Sequence, residues 1–122
     1  EFEELLSKSD IVSVHAPLDE NTRNLFDKSA FDQMKESAIF INVGRGPIVV
    51  EQDLVDALNE GQLAAAGLDV LSVEPMTEQN PLRSIKDINR LIITPHIAWA
   101  SVEARTRLMK TISGQIKDFF EL

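Results

Sequence analysis

Four short apolar runs, IVSV at 11–14, AIFINV at 38–43, LAAAGLDV at 63–70 and LIIT at 91–94, are separated by segments of helical period. This alternation constrains the fold more than any other feature of the chain. Runs of that length are strand-like, and strands that are apolar throughout are expected to be buried on both faces. Helices between them imply right-handed crossovers in a parallel sheet. The class is therefore α/β.

The intervening segments supply the helices. Phe2, Leu5 and Leu6 predict one over 2–9, and Ala30, Phe31 and Met34 predict another over 28–35 behind an Asp27 N-cap. Leu54, Val55 and Leu58 share a face over 51–60, with acidic residues in the first turn and Gly61 at the left-handed stop. A Pro-containing loop with one helical turn near 82–85 is expected over 71–90. Behind Ser101 as N-cap, Leu108, Met109, Ile112, Ile116, Phe119 and Phe120 make an apolar stripe on a helix reaching 122. At 1.5 Å per residue that helix is about 33 Å long, the width of a small domain, so part of it is expected to pack on something outside the chain. Doubly wound sheets usually have about five or six strands, and four make roughly half of one. Residues 1–122 read as a single unit.

Composition narrows the function. The 122 residues suffice for one core, and 43% hydrophobic with 26% charged residues predicts a packed interior. Twelve basic against twenty acidic residues leave a net charge of −8, which repels phosphate backbones and anionic lipid, so neither nucleic acid nor membrane is an expected partner. Absence of cysteine removes disulfides, thiol catalysis and Cys-based zinc sites, and fits a reducing compartment, with cytoplasm the default. Two histidines, at 15 and 96, are a poor basis for a metal site, and none is expected. No apolar run approaches the roughly 18 residues of a membrane span. The start, EFEELLSKSD, is acidic where a signal peptide is basic and lacks a methionine, which suggests a fragment or processed product.

Chemistry-bearing residues fall at the strand ends: His15 after IVSV, Arg45 after IFINV, Asp69 and Glu74 after LAAAG, and His96 after LIIT. In an open parallel sheet, ligands bind outside the carboxyl ends of the strands, where residues distant in sequence converge. Gly44 and Gly46 are expected to turn the backbone sharply and leave space beside Arg45, whose planar fork suits a carboxylate or polarised carbonyl. A carboxylate such as Glu74 beside His96 favours the imidazolium and keeps a proton ready for a substrate oxygen. Asp69, inside an apolar run, needs either a hydrogen-bonded partner or a polar ligand. Trp99 reads equally as a wall near His96 or as core, and His15 equally as structural or as a ligand contact, without a catalytic role. The GRG is no dinucleotide fingerprint, since Val49 stands where G-x-G-x-x-G needs glycine.

INVGRG, AAAGLDVLSVEP and ITPHIAWAS, in this order, resemble the D-isomer-specific 2-hydroxyacid dehydrogenases, and SDIVSVHAPLDENTRNLF and VEQDLVDALNEGQL extend the likeness over roughly residues 3–120. The resemblance implies half of a doubly wound Rossmann-type sheet with a long C-terminal helix. It implies that Arg45 binds the carboxylate and carbonyl of a 2-oxo acid, that His96 is the general acid/base, and that Glu74 orients and charges His96. The cofactor it implies is NAD or NADP, with NAD favoured. Asp69 would meet the nicotinamide carboxamide; Val43 and Gly44, with Arg45 and His96, would line the cofactor; Ala16, Pro17 and Thr22 would lie on its adenosine and phosphate side. Trp99 would border the substrate pocket with Arg45 and His96.

PHIAWAS is most similar to glycerate dehydrogenases and hydroxypyruvate or glyoxylate reductases, and the family resemblance points to a dimer. The glycine-rich turn, the ribose-reading acid about 20 positions further on and the substrate domain are missing, and are expected before Glu1. The chain alone is therefore expected not to turn over substrate. The competing readings are a fragment of a dehydrogenase-like co-repressor related to the C-terminal-binding proteins, acting as a binding module, and a small flavodoxin-like signalling domain. The strand ends lack the acidic cluster and lysine such a signalling domain needs. Formate dehydrogenase is disfavoured by Glu74, where that group would carry an amide.

Overall fold

The computed structural model describes residues 1–121. The chain runs α1 (Phe2–Lys8), β1 (Ile11–Val14), α2 (Lys28–Asp32), β2 (Ile39–Asn42), α3 (Glu51–Glu60), β3 (Ala65–Leu68), β4 (Leu91–Ile93) and α4 (Val102–Phe120), with 3-10 turns at Gly46–Ile48, Pro81–Ser84 and Ile88–Arg90. The strands form one parallel sheet in the order β1-β2-β3-β4. This is the parallel half-sheet expected from the apolar runs.

Local chemistry places the ends. Asp27 Oδ1 accepts from the Ala30 amide at 3.0 Å, and Gly61 closes α3 at φ 84°, where a side chain would be strained. Ser101 Oγ caps α4 through the Ala104 amide at 3.1 Å. α2 stops at Asp32, short of the expected Lys35, because Gln33 and Met34 bond three residues back, to Ala30 and Phe31. That tighter turn still buries Met34.

Burial on both faces, expected from the apolar runs, is not what the described residues show. A monotonic strand order with right-handed crossovers sends every connection over one face. That face carries Val12, Val14, Phe40, Ala66 and Leu68, which pack beneath Phe26, Phe31, Leu54 and Leu58 in one core. Phe40 sits at its centre, its ring 4.8 Å from that of Phe26 and 5.4 Å from that of Phe31. The opposite face is open: Ile11, Ile39 and Ile92 are 58%, 38% and 68% exposed. α4 also buries none of its residues, and Met109, Ile116 and Phe119 are exposed. Position 122, the last of the expected helix, lies outside the described residues. No described helix is long and apolar enough to cross a membrane.

Two uncovered apolar surfaces of this kind drive association in water. The 122-residue chain in isolation is expected to self-associate, with light scattering giving a mass above that of one chain; a clean monomer at high concentration would contradict the half-sheet architecture.

Candidate active site

Parallel strands deliver their carboxyl ends to one rim. β1 leads into Ala16 and Pro17, β2 into Val43, Gly44 and Arg45, β3 into Asp69 and Glu74, and β4 into Thr94 and His96. The rim is rigid because its polar groups are bonded to one another.

β2 ends in Asn42, which is fully buried. Its side-chain oxygen accepts from the Gly44 amide and its nitrogen donates to the Arg45 carbonyl, both at 3.0 Å, so one amide shapes the whole turn. Both glycines in this turn are packed against neighbouring backbone. A Cβ on Gly44 would stand 3.0 Å from the Ala16 carbonyl oxygen. A Cβ on Gly46 would stand 1.9 Å from Leu71 C, 2.0 Å from Leu71 O and 2.4 Å from Ser72 N. The turn bearing Arg45 is thus pressed against the start of the loop bearing Glu74.

Glu74 and His96 meet as expected. Glu74 Oε2 lies 2.8 Å from His96 Nδ1, and Glu74 Oε1 accepts from the Leu71 amide at 2.8 Å. The Leu71 amide, followed by the His96 ring, holds the Glu74 carboxyl below the usual carboxylate range. His96 has φ 58°, in the left-handed region, and its half-buried ring keeps Nε2 clear of the pair. Trp99 is not core: it is 58% exposed, and its indole N–H donates to the His96 carbonyl at 2.9 Å.

Asp69, 5% exposed, has its partners within the chain. Thr94 Oγ1 and the Ile97 amide donate to Oδ1 at 2.5 and 2.9 Å, and the Ala98 amide donates to Oδ2 at 2.8 Å. Burial pushes its carboxyl up, but the Thr94 hydroxyl and the Ala98 and Ile97 amides outweigh burial and set it below the ordinary value. Asp69 therefore ties β3 to the loop that carries His96.

Asp69 and Glu74 both bind protons less readily folded than unfolded, so the unfolded chain takes up more protons on acidification. Their contribution is complete above the ordinary carboxylate range and is lost as pH falls through their lowered folded values. Measured against the unfolded-chain rate at each pH, protection of the Leu71, Ile97 and Ala98 amides should be high at neutral pH and fall there before that of the core amides; simultaneous loss of protection would contradict this.

Two clefts border these residues. One, of ≈ 400 Å³, is bounded by Asp69, Glu74, Met76, Thr94 and His96. The other, of ≈ 380 Å³, lies on the open sheet face among Ile41, Val43, Asp69, Thr94 and Ile97. They share Asp69 and Thr94. The sheet-face trough is lined mainly by apolar residues, with Asp69 and Thr94 its polar ones.

Other expected residues stand apart from the pair. The Arg45 guanidinium is exposed and donates from Nη1 to the Gly44 carbonyl at 2.8 Å; it shares the rim with His96 but does not line either cleft. Thr22 Oγ1 donates to the Pro17 carbonyl at 2.7 Å and accepts from the Asp19 amide at 2.8 Å, which fixes the Ala16–Thr22 loop at the β1 end. His15 pairs with Ser13 at 2.9 Å. Asn42, Thr94, Glu51 and Asn80 were not among the expected site residues. Asn42 and Thr94 carry a readable signal, a polar residue closing an otherwise apolar strand, whereas Glu51 and Asn80 carry none.

Residues 1–98 match the family described as D-isomer specific 2-hydroxyacid dehydrogenase, NAD binding domain, and the chain belongs to that family. It is 48% identical over 121 residues to a hydroxypyruvate reductase of Blautia hydrogenotrophica and 40% identical over 121 residues to a glycerate dehydrogenase of Methylorubrum extorquens. In each case the alignment covers 99% of this chain and 37% of the relative. The solved structure of a D-isomer specific 2-hydroxyacid dehydrogenase from Lactobacillus delbrueckii ssp. bulgaricus, in its NAD-complexed form, superimposes with a TM-score of 0.83 at 29% identity, covering 99% of this chain and 40% of that one. The co-repressor alternative finds no support among these relatives.

Proposed function

We propose that the complete protein reduces a small 2-oxo acid, hydroxypyruvate or glyoxylate before others, to the D-2-hydroxy acid, and that this chain supplies the C-terminal half of its NAD-binding domain. The observation that carries the reading is the Glu74–His96 pair at 2.8 Å, bordering a cleft that shares Asp69 and Thr94 with the trough beside Val43. When bound there, NAD(P)H supplies the hydride.

Val43, Gly44 and Asp69 would hold the nicotinamide end, and Ala16, Pro17 and Thr22 the adenosine and phosphate side. Glu74 fixes His96 through Nδ1, which leaves Nε2 to give its proton to the carbonyl oxygen as charge develops there. Arg45 leaves the Gly44 carbonyl and takes the substrate carboxylate, its fork holding the acid and polarising the adjacent carbonyl. Trp99, pinned to the His96 carbonyl, walls the same pocket. We assign the complete protein to the cytoplasm as a homodimer.

The test is the pH profile of 2-oxo acid reduction by the complete protein. Glu74→Gln removes the carboxylate held on His96 Nδ1, and the optimum of reduction should move down. An unchanged profile would remove Glu74 from this role.

A further inference from the structure

We infer that Glu51 is the positioning residue that sets Glu74 on His96, an assignment that rests on the reading of that pair as the acid/base couple. Glu51 is the first residue of α3 and is half-buried, some twenty positions from the loop it serves. Its two oxygens divide that loop between them: Oε1 accepts from the Ser72 amide at 2.7 Å and Oε2 from Asn80 Nδ2 at 2.9 Å. Asn80 is buried, and its other end accepts from the Leu82 amide at 2.9 Å, so the far end of the loop is fixed to the Pro81–Ser84 turn.

Between these two anchors stands Glu74. The amide adjacent to Ser72, that of Leu71, is the one Glu74 accepts while reaching His96. Gly46 presses on the same Leu71–Ser72 peptide from the other side. One carboxylate at the start of α3 therefore holds the Glu74 loop against the turn that carries Arg45, with Glu74 in register on His96. Two donors converge on it, so an acceptor is required at each oxygen. Gln offers only one and faces the second donor with an N–H. Asp keeps the charge at the helix start, favourable in its own right, but is one methylene too short to reach both.

Glu51→Gln and Glu51→Asp are to be compared with wild type and Glu74→Gln in the complete protein, by amide exchange over 71–80, by ¹⁵N resonances of the His96 ring, and by kinetics. Both Glu51 variants should speed exchange at Ser72 about tenfold or more and move the ring resonances toward those of Glu74→Gln. The kcat/KM for the 2-oxo acid should fall about tenfold, and the Glu51→Gln/Glu74→Gln double variant should be little worse than Glu74→Gln alone.

Exchange and ring resonances unchanged in both variants, or changed in Glu51→Gln but not in Glu51→Asp, would overturn the assignment, the latter by tracing the effect to helix charge. Full additivity in the double variant would overturn it too. If Glu74→Gln leaves the pH profile unaltered, the functional reading falls instead, and the exchange and ring measurements still decide whether Glu51 places Glu74.

Discussion

Replacing His96 with Asn in the complete protein should lower kcat for 2-oxo acid reduction about 10²- to 10⁴-fold, the range for loss of a positioned acid/base. Asn is small enough for the space and tolerates the left-handed backbone that His96 adopts at φ 58°, so the loop should survive the change. Cofactor affinity should stay within a small factor, because the trough beside Val43 and Asp69 does not depend on the ring. Steady-state kinetics together with NAD(P)H titration separate the two. A variant with near-normal kcat would show that the proton comes from elsewhere, and one that loses cofactor binding alongside turnover would show that the residue holds the trough.

Gly46→Ala is the second change with a large expected effect, and its origin is steric. The added carbon would overlap three backbone atoms of Leu71 and Ser72 at 1.9 to 2.4 Å. Backbone cannot turn aside as a side chain can, and this stretch is also tied through the Leu71 amide to Glu74 and through the Ser72 amide to Glu51. Overpacking that a core cannot absorb costs about 3 kcal/mol or more. The urea midpoint should fall with little change in slope. Activity should drop further than the loss of folded protein accounts for, because relief of the overlap moves Glu74 off His96. An unchanged midpoint would mean that the two turns are not packed as described.

The sequence carried the architecture because its signals are local. The Asp27, Gly61 and Ser101 boundaries follow from capping chemistry, and the short apolar runs name the strands before any contact is known. The Glu74–His96 pair was legible because a parallel sheet sends both strand ends to one rim. What stayed hidden depends on other chain segments. Apolar residues on both faces of a strand carry no record of which face its own helices cover, so Ile11, Ile39 and Ile92 read as buried although they lie exposed in this chain. That Leu71 and Ser72 press on Gly46 was hidden too, because nothing local announces it. Glu51 looked like a favourable charge at a helix start, which it is. That its oxygens reach Ser72 and Asn80 is a tertiary fact with no signature in the helix.

The central claim is that Arg45, Glu74 and His96 work on one substrate molecule, although Arg45 is turned back on the Gly44 carbonyl here. A crystal structure of the complete protein with NAD(P)⁺ and an unreactive 2-oxo acid analogue tests this directly. The predicted result has the Arg45 guanidinium on the analogue's carboxylate and His96 Nε2 within about 2.6–3.2 Å of its carbonyl oxygen, with Glu74 still on Nδ1. An analogue bound away from Arg45, with Nε2 facing solvent, would contradict it.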